Sequence, residues 1–177
     1  MPSAIGTGAF SIDAFRANFA NAARQYLFYV GLNIPVSGIS TTKAMYLVRS
    51  ASIPAKSVEK KEIAWQGYRM PFGGVTTHED WTVTFMVDPK AQIHQAMVNW
   101  SNLVHDPATN IHGLPSFYMA DQRVQLLTPT TGSTSITEVK LIGAWPQNVG
   151  PIELNYDNTE IATFQVTFSY VRHEYVY

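Results

Sequence analysis

A chain of 177 residues suffices for one core of ordinary size and is short for two, so a single domain spanning 1–177 is expected. It has no cysteine, which excludes disulfides and thiolate metal sites. Met1–Phe10 lacks a basic region followed by an apolar run, and no stretch approaches the roughly 18 apolar residues of a membrane span, so the chain reads as soluble with no membrane partner. Charged residues make up only 14% against about 25% in ordinary soluble domains, while 46% are hydrophobic and 12% aromatic; such a surface suits repeated protein contacts.

In chain order, Ser11 is a plausible N-cap, and Ile12, Phe15, Phe19 and Ala22 recur at helical spacing, predicting a short helix over Ser11–Arg24 within an N-terminal extension, residues 1–24. Its apolar stripe is expected to pack on the core or on a neighbour. Tyr26, Phe28, Val30 and Leu32 begin a first strand pattern, Met45–Ser50 make a second that ends at Ile53-Pro54, and Glu59–Trp65 a third. Gln66 to Gly74 is rich in turn formers yet carries Tyr68, Met70 and Phe72. Trp81, Val83, Phe85 and Val87 alternate with Thr82, Thr84 and Met86, predicting a strand with one core face over Asp80–Asp88. Asp88-Pro89 looks like a cap followed by proline at the first helical position, and Ile93, Met97, Trp100 and Val104 form the stripe of a helix over about 90–105. After a loop with Pro107, Gly113 and Pro115, strands are predicted at Phe117–Leu127, Ile136–Trp145, Val149–Tyr156 and Ile161–Tyr170. Thr128–Ser133 and Asp157-Asn158 supply turns between them. The fold class is mainly β, an antiparallel sandwich or barrel with one packed helix and a short N-terminal one.

Candidates for chemistry are sparse. The five histidines, His78, His94, His105, His112 and His173, show no helical i, i+4 pair, and packing or surface roles are expected of them. Asp106 and Glu79-Asp80 have no nucleophile or second carboxylate that spacing assigns to them, so no catalytic residue, metal or cofactor is expected. Gly6-Thr7-Gly8 lacks the preceding strand and third glycine of a dinucleotide fingerprint, and no Gly-Lys-Ser/Thr sequence occurs. Lys60-Lys61 is flanked by Glu59 and Glu62, which argues against a nucleic-acid-reading surface. Trp81 and Trp100 fall on core faces; Trp65 and Trp145 are open to other roles, including glycan stacking in a carbohydrate-binding β-sandwich.

Two blocks carry a resemblance. Asp80-Trp81-Thr82-Val83-Thr84, followed by the Asp88 helix and Trp100, is similar to the tail tube family of T-even-like contractile-tailed phages. So is Gly143-Ala144-Trp145-Pro146-Gln147-Asn148-Val149-Gly150, followed by Ile152, Leu154, Tyr156-Asp157-Asn158, Glu160-Ile161 and Thr163–Thr167, which matches that family's Gly-x-Trp-Pro-x-Asn-Val-Gly stretch and final strand. Ile53-Pro54-Ala55 and Val58-Glu59-Lys60 fall where the family has a similar segment. The resemblance spans roughly residues 25–105 and 120–176. Met1–Arg24 and the loop Asp106–Ser116 depart from it.

The resemblance implies a non-enzymatic virion subunit that forms hexameric rings stacked inside a contractile sheath. Its implied partners are copies of itself, the sheath, the baseplate and tail terminator proteins and the tape-measure protein, with DNA met only in passage. Assembly in the host cytoplasm and residence in the phage tail follow. An inner-tube protein of a secretion system or extracellular contractile injection particle is the related alternative. Within the motif, Pro146 is expected to end its strand, Gly150 to permit a turn and Trp145 to anchor the corner, with Gly143 and Asn148 completing the pattern.

Three expectations concern assembly. Residues 66–77 read as an assembly loop, poorly ordered in the free subunit and ordered against a neighbour in the adjacent ring through Tyr68, Arg69, Met70, Phe72 and Val75. The bore is expected to be polar and weakly charged. Charge is uneven along the chain, whose net value is -1: Arg16, Arg24, Lys43, Arg49, Lys56 and Lys60 outweigh Asp13 and Glu59 in residues 1–60. The last third, 121–177, reverses that balance, and opposite ends could attract across ring interfaces.

Overall fold

The structure, a computed structural model, describes residues 12–19, 22–36, 40–129, 134–157 and 159–176. Its elements are α1 (Ile12–Phe19), β1 (Phe28–Gly31), α2 (Thr41–Tyr46), β2 (Val48–Ala51), β3 (Lys56–Trp65), β4 (Tyr68–His78), β5 (Trp81–Met86), α3 (Gln92–Val104), β6 (His105–Asp106), β7 (Ile111–His112), α4 (Pro115–Tyr118), β8 (Ala120–Leu127), β9 (Ser135–Val149), β10 (Thr163–Ser169) and β11 (Arg172–Val176).

One antiparallel sheet holds most of the strands in the order β1-β8-β9-β10-β5-β2, with β11 paired to β9. The hairpins β3-β4 and β6-β7 stand apart as two-stranded units. β9 is the spine: β8 pairs with it over Ser135 to Ala144, while β11 takes Glu138 to Ile142 and β10 takes Trp145 to Val149. Gly143 lies between those last two partners at φ +65, and a Cβ there would stand 3.0 Å from Val171, so the handover needs a glycine.

The core lies where the alternating patterns place it. Trp81, Val83 and Phe85 of β5 and Phe164, Val166 and Phe168 of β10 are buried, register-paired as Phe164 with Phe85 and Phe168 with Trp81. α3 covers them with Ile93, Met97 and Trp100, bringing the Trp100 ring 5.7 Å from Phe168. Both buried indoles find acceptors: Trp81 Nε1 donates to the Ser52 carbonyl at 2.8 Å and Trp100 Nε1 to the Tyr118 carbonyl at 2.7 Å. A buried Gln122 clamps the segment after β1, accepting from the Asn33 N–H and donating to the Asn33 carbonyl, both at 2.8 Å. Two satisfied contacts explain how an amide is tolerated there.

Several boundaries differ from expectation. Of the Ser11–Arg24 helix, Ser11 lies outside the described residues and 22–24 are coil; Ile12 and Phe15 of α1 are exposed. Met45 and Tyr46 belong to α2, whose Ala44 is buried in the core, and only from Val48 does the predicted strand form. Phe117 and Tyr118 likewise close α4, which Pro115 opens at its first turn. A turn separates Asp88 from α3: Ala91 donates to the Asp88 carbonyl at 2.8 Å, so Pro89 is not the first helical residue. Asp88 still caps the helix, accepting from the Ile93 N–H at 3.3 Å and from Lys43 at 2.9 Å. Its burial alone would raise the pKa, but Lys43 and the Ile93 and Gln92 N–H groups together hold it below the usual carboxylate range. Val149–Tyr156 is not a strand beyond Val149, and β11, which the sequence reading did not foresee, takes the free edge of β9.

Pro146 does not end its strand. β9 runs through it to Val149, because Pro146 sits opposite Phe168 where the register slips between Thr167 and Phe168, a bulge that needs no N–H from proline. The stop comes at Gly150, whose N–H donates to the Gln165 carbonyl at 2.7 Å and whose absent Cβ would lie 2.8 Å from that oxygen.

Candidate assembly interface

The segment read as a loop is a strand. Gln66 and Gly67, at φ 47 and 85, form the two-residue turn with both centres left-handed that tight hairpins favour, and residues 68–77 belong to β4. β3 and β4 pair from Trp65 opposite Tyr68 back to Lys56 opposite His78, interrupted by one register shift between Val58 and Lys60. Gly74 fills that irregularity, where a Cβ would lie 2.9 Å from the Glu59 carbonyl. Turn formers there serve a hairpin and its bulge.

Register assigns the side chains to two unlike faces. Directly opposed pairs share a face and alternate along the ribbon. Trp65 with Tyr68, Ile63 with Met70 and Lys61 with Phe72 make one apolar face. Ala64 with Arg69, Glu62 with Pro71 and Lys60 with Gly73 make the other, laced by Lys60–Glu62 at 2.6 Å and Arg69–Glu62 at 3.8 Å. Trp65 is 63% exposed, Tyr68 77%, Ile63 56%, Phe72 50% and Met70 44%. Val75, in the bulged region, is exposed too. A lone two-stranded hairpin is marginal in water, and a contiguous apolar face of this kind marks a contact surface.

The structure brings together Tyr68, Arg69, Met70, Phe72 and Val75 on one strand, with Tyr68, Met70 and Phe72 sharing its apolar face. Sequence reading missed Ile63 and left Trp65 open; the alternation of Ile63 and Trp65 across Ala64 was the signal. The motif residues are dispersed in the body: Trp81 and Trp100 are core, and Trp145 is half-buried with its ring 6.1 Å from that of Tyr118. Asn148 and Gly150 line a cleft of about 670 Å³ beside Gln165, Glu153 and Glu160. Gly143 N–H donates to Asp121 Oδ1 at 3.1 Å; Lys140, 2.9 Å from the same carboxylate, first of all, and then that N–H, hold Asp121 below its usual pKa.

The candidate acids and histidines fall into structural settings. Asp106 accepts from Thr109 Oγ1 at 2.7 Å and from the Ala108 N–H at 3.0 Å, bonds that fix the β6-β7 turn and lower its pKa. His105 and His112 are opposed across that small hairpin, 4.4 Å between rings. His78 and His173 meet edge-on, 4.9 Å between rings, at the root of β3-β4. These pairs cross between strands, so sequence spacing could not reveal them. Among the described residues no group of three or more His, Asp or Glu could hold a metal ion, and no helix is long and apolar enough to cross a membrane.

Residues 10–176 match the family model described as phage tail tube protein. The chain is 32% identical over 123 residues to the tail tube protein gp19 of Enterobacteria phage T4, covering 68% of this chain and 75% of that one. It is 25% identical over 152 residues to the tail tube protein of Serratia phage KSP90, covering 82% and 85%. Among solved structures, the sheath/tube terminator of an extracellular contractile injection system superposes with TM-score 0.67 at 16% identity, over 88% of this chain and 97% of that one; the likeness is one of fold. On these matches, the family model spanning nearly the whole sequence, the chain belongs to the phage tail tube protein family.

Proposed function

We propose that this chain is the repeating subunit of a tail's inner tube, closing into hexameric rings that stack coaxially within a contractile sheath. The observation that carries the reading is the apolar face of β3-β4, built from Ile63, Trp65, Tyr68, Met70 and Phe72 and left exposed by its own subunit. Its cover is a second copy of the chain, in the adjacent ring. Stacking of that heterologous kind does not close on itself, so it yields a filament of indefinite length, while ring closure protects sheet edges such as β1 and β2. The hairpin's regular pairing supports a preformed contact element whose setting on the body is fixed by the neighbour.

The subunit works without catalysis, by assembly and passage. On β5 and β10, Thr82, Thr84, Gln165 and Thr167 alternate with the buried residues and form the sheet's polar face. Such a face suits a bore through which DNA and a tape-measure protein slide, since a weakly charged lining forms few phosphate contacts. Sheath, baseplate and terminator proteins are the further partners, met in the host cytoplasm during assembly and retained in the virion tail.

Electron microscopy of the purified chain tests this. Tubes or stacked rings of uniform bore are expected; a persistent monomer that binds glycans through exposed Trp65 would replace the proposal with a carbohydrate-binding module. An inner tube of a secretion or injection particle would give the same images. Particles from the producing cells, with or without a DNA-filled head, separate it from a phage tail.

A further inference from the structure

We propose that His173, packed edge-on against His78, is a pH-sensitive hinge at the root of the β3-β4 hairpin, and that its protonation frees the hairpin from the body and dissolves the tube. The hinge regulates the assembly contact proposed above and rests on that reading.

Among the described residues the hairpin hydrogen-bonds to no other strand, so its direction is set at its root. Among the contacts that hold it there are three. Trp81 Nε1 donates to the Ser52 carbonyl at 2.8 Å, and Tyr175 Oη donates to the Pro54 carbonyl at 2.7 Å. The third is the ring cluster around His78, the last residue of β4. Its imidazole meets His173 edge-on at 4.9 Å and Tyr170 at 5.8 Å, and His173 in turn lies 5.2 Å from the Tyr175 ring. His173 is buried in β11, so the cluster ties the hairpin to the strand that borders β9.

The setting of His173 is built for a neutral imidazole. His78 Nδ1 and His173 Nε2 are buried with no hydrogen-bond partner, and the Tyr170 hydroxyl lies 3.4 Å from the other His173 nitrogen. A proton added to the His173 ring would find no carboxylate among these contacts. It would face the second imidazole and Lys56, which is opposite His78 in register. The remaining charges nearby do not offset this: Glu79 and Asp80 are exposed and act on Tyr170, and Arg172 pairs with Glu174 at 3.1 Å on either side of His173. Burial first, then His78 and Lys56, hold His173 below the ordinary histidine pKa.

The sign follows from linkage. A base with a lowered pKa in the docked state takes up more protons once released. Docking is therefore fully supported above about pH 6.5 and loses support as pH falls from there toward the lowered value. The hairpin's own register lacks a histidine outside His78, so it can swing without melting.

The test begins with tubes assembled near pH 7.5, pelleted after transfer to steps down to about pH 5, alongside hydrogen exchange of free subunits at the same pH values. Wild-type tubes are expected to disperse at least tenfold between about pH 6.5 and 5, with faster exchange at 52–56 and 78–80 in the free subunit. His78→Gln/His173→Gln tubes are expected to persist through that range. Should the double variant fail to fold, His78→Gln alone, at the half-buried position, is expected to move the midpoint at least half a pH unit downward. Wild-type tubes that survive unchanged, or variants with the wild-type midpoint, overturn the hinge. Failure to form tubes near pH 7.5 strikes the assembly reading itself, and exchange at the root of the free subunit then still decides the hinge.

Discussion

The β5-β10 pair and the β3-β4 hairpin are written in the same code and resolved in opposite ways. Both are antiparallel, and both alternate large apolar residues with polar ones. In β5 the apolar positions Trp81, Val83 and Phe85 vanish under α3 and against Phe164 and Phe168. In the hairpin, Ile63, Trp65, Tyr68, Met70 and Phe72 align on one face with equal regularity and all stay exposed. Alternation states that a face must be covered and does not state by whom. In the body the chain supplies the cover; in the hairpin, on the assembly proposed above, it is left for a neighbour.

The widest gap between the two regions should appear on truncation. Trp100→Ala removes a ring packed on Phe168 and a hydrogen bond to Tyr118, and is expected to cost about 3–5 kcal/mol, read as a lower urea midpoint with loss of soluble subunit. Replacing Tyr68, Met70 and Phe72 together with serine should abolish tubes while the subunit's unfolding midpoint holds within about 0.5 kcal/mol per site. If the triple variant unfolds, the hairpin belongs to the cooperative core and the contrast collapses. If it forms normal tubes, the apolar face is covered by nothing that matters to assembly.

A smaller effect probes the hairpin's shape without touching its face. Gly67→Ala puts a side chain at φ 85 in open space, so only backbone strain changes, about 1–2 kcal/mol. Amide exchange near Trp65 and Tyr68 should quicken, and light scattering should show a longer lag before growth. Unchanged exchange would mean that the turn relaxes into another type.

The same contrast explains what could be read from residues alone. The β5 strand, the α3 helix and the burial of Trp81 and Trp100 were legible because their periodicity is completed inside the chain. β4 was not, because Gly67, Pro71, Gly73 and Gly74 mimic a loop when one of them shapes a tight turn and another a bulge. Pro146 misled for the opposite reason: a proline at a register slip loses no ladder bond, so the strand continues. The His78–His173 contact joins residues far apart in sequence and depends on β11 folding beside β9, which no local pattern announces.

Charge offers the finest test, because it separates the two regions without altering any apolar contact. The hairpin carries Lys56, Lys60, Lys61 and Arg69 against Glu59 and Glu62, whereas 150–162 carries Glu153, Asp157 and Glu160 with no basic residue. The hairpin is thus a cationic arm, although Arg16, Arg24, Lys43 and Arg49 of the basic first third lie outside it, and 150–162 is an anionic segment flanking the cleft beside Asn148 and Gly150. If the arm of one copy approaches that segment of the next, long-range attraction should speed encounter, and salt should slow it by shrinking the screening length from about 30 Å at 0.01 M to about 8 Å at 0.15 M. The effect belongs mainly to the rate, since exposed ion pairs contribute about 0–1 kcal/mol each and apolar burial holds the finished contact. Light scattering is therefore expected to show a several-fold slower rise at the higher salt with the same final amplitude. Reversing Lys60 and Lys61 to glutamate should remove most of that salt dependence. Equal rates at both ionic strengths would make the charge asymmetry incidental, whereas a fall in final amplitude would show that charge, and not the apolar face, holds ring to ring.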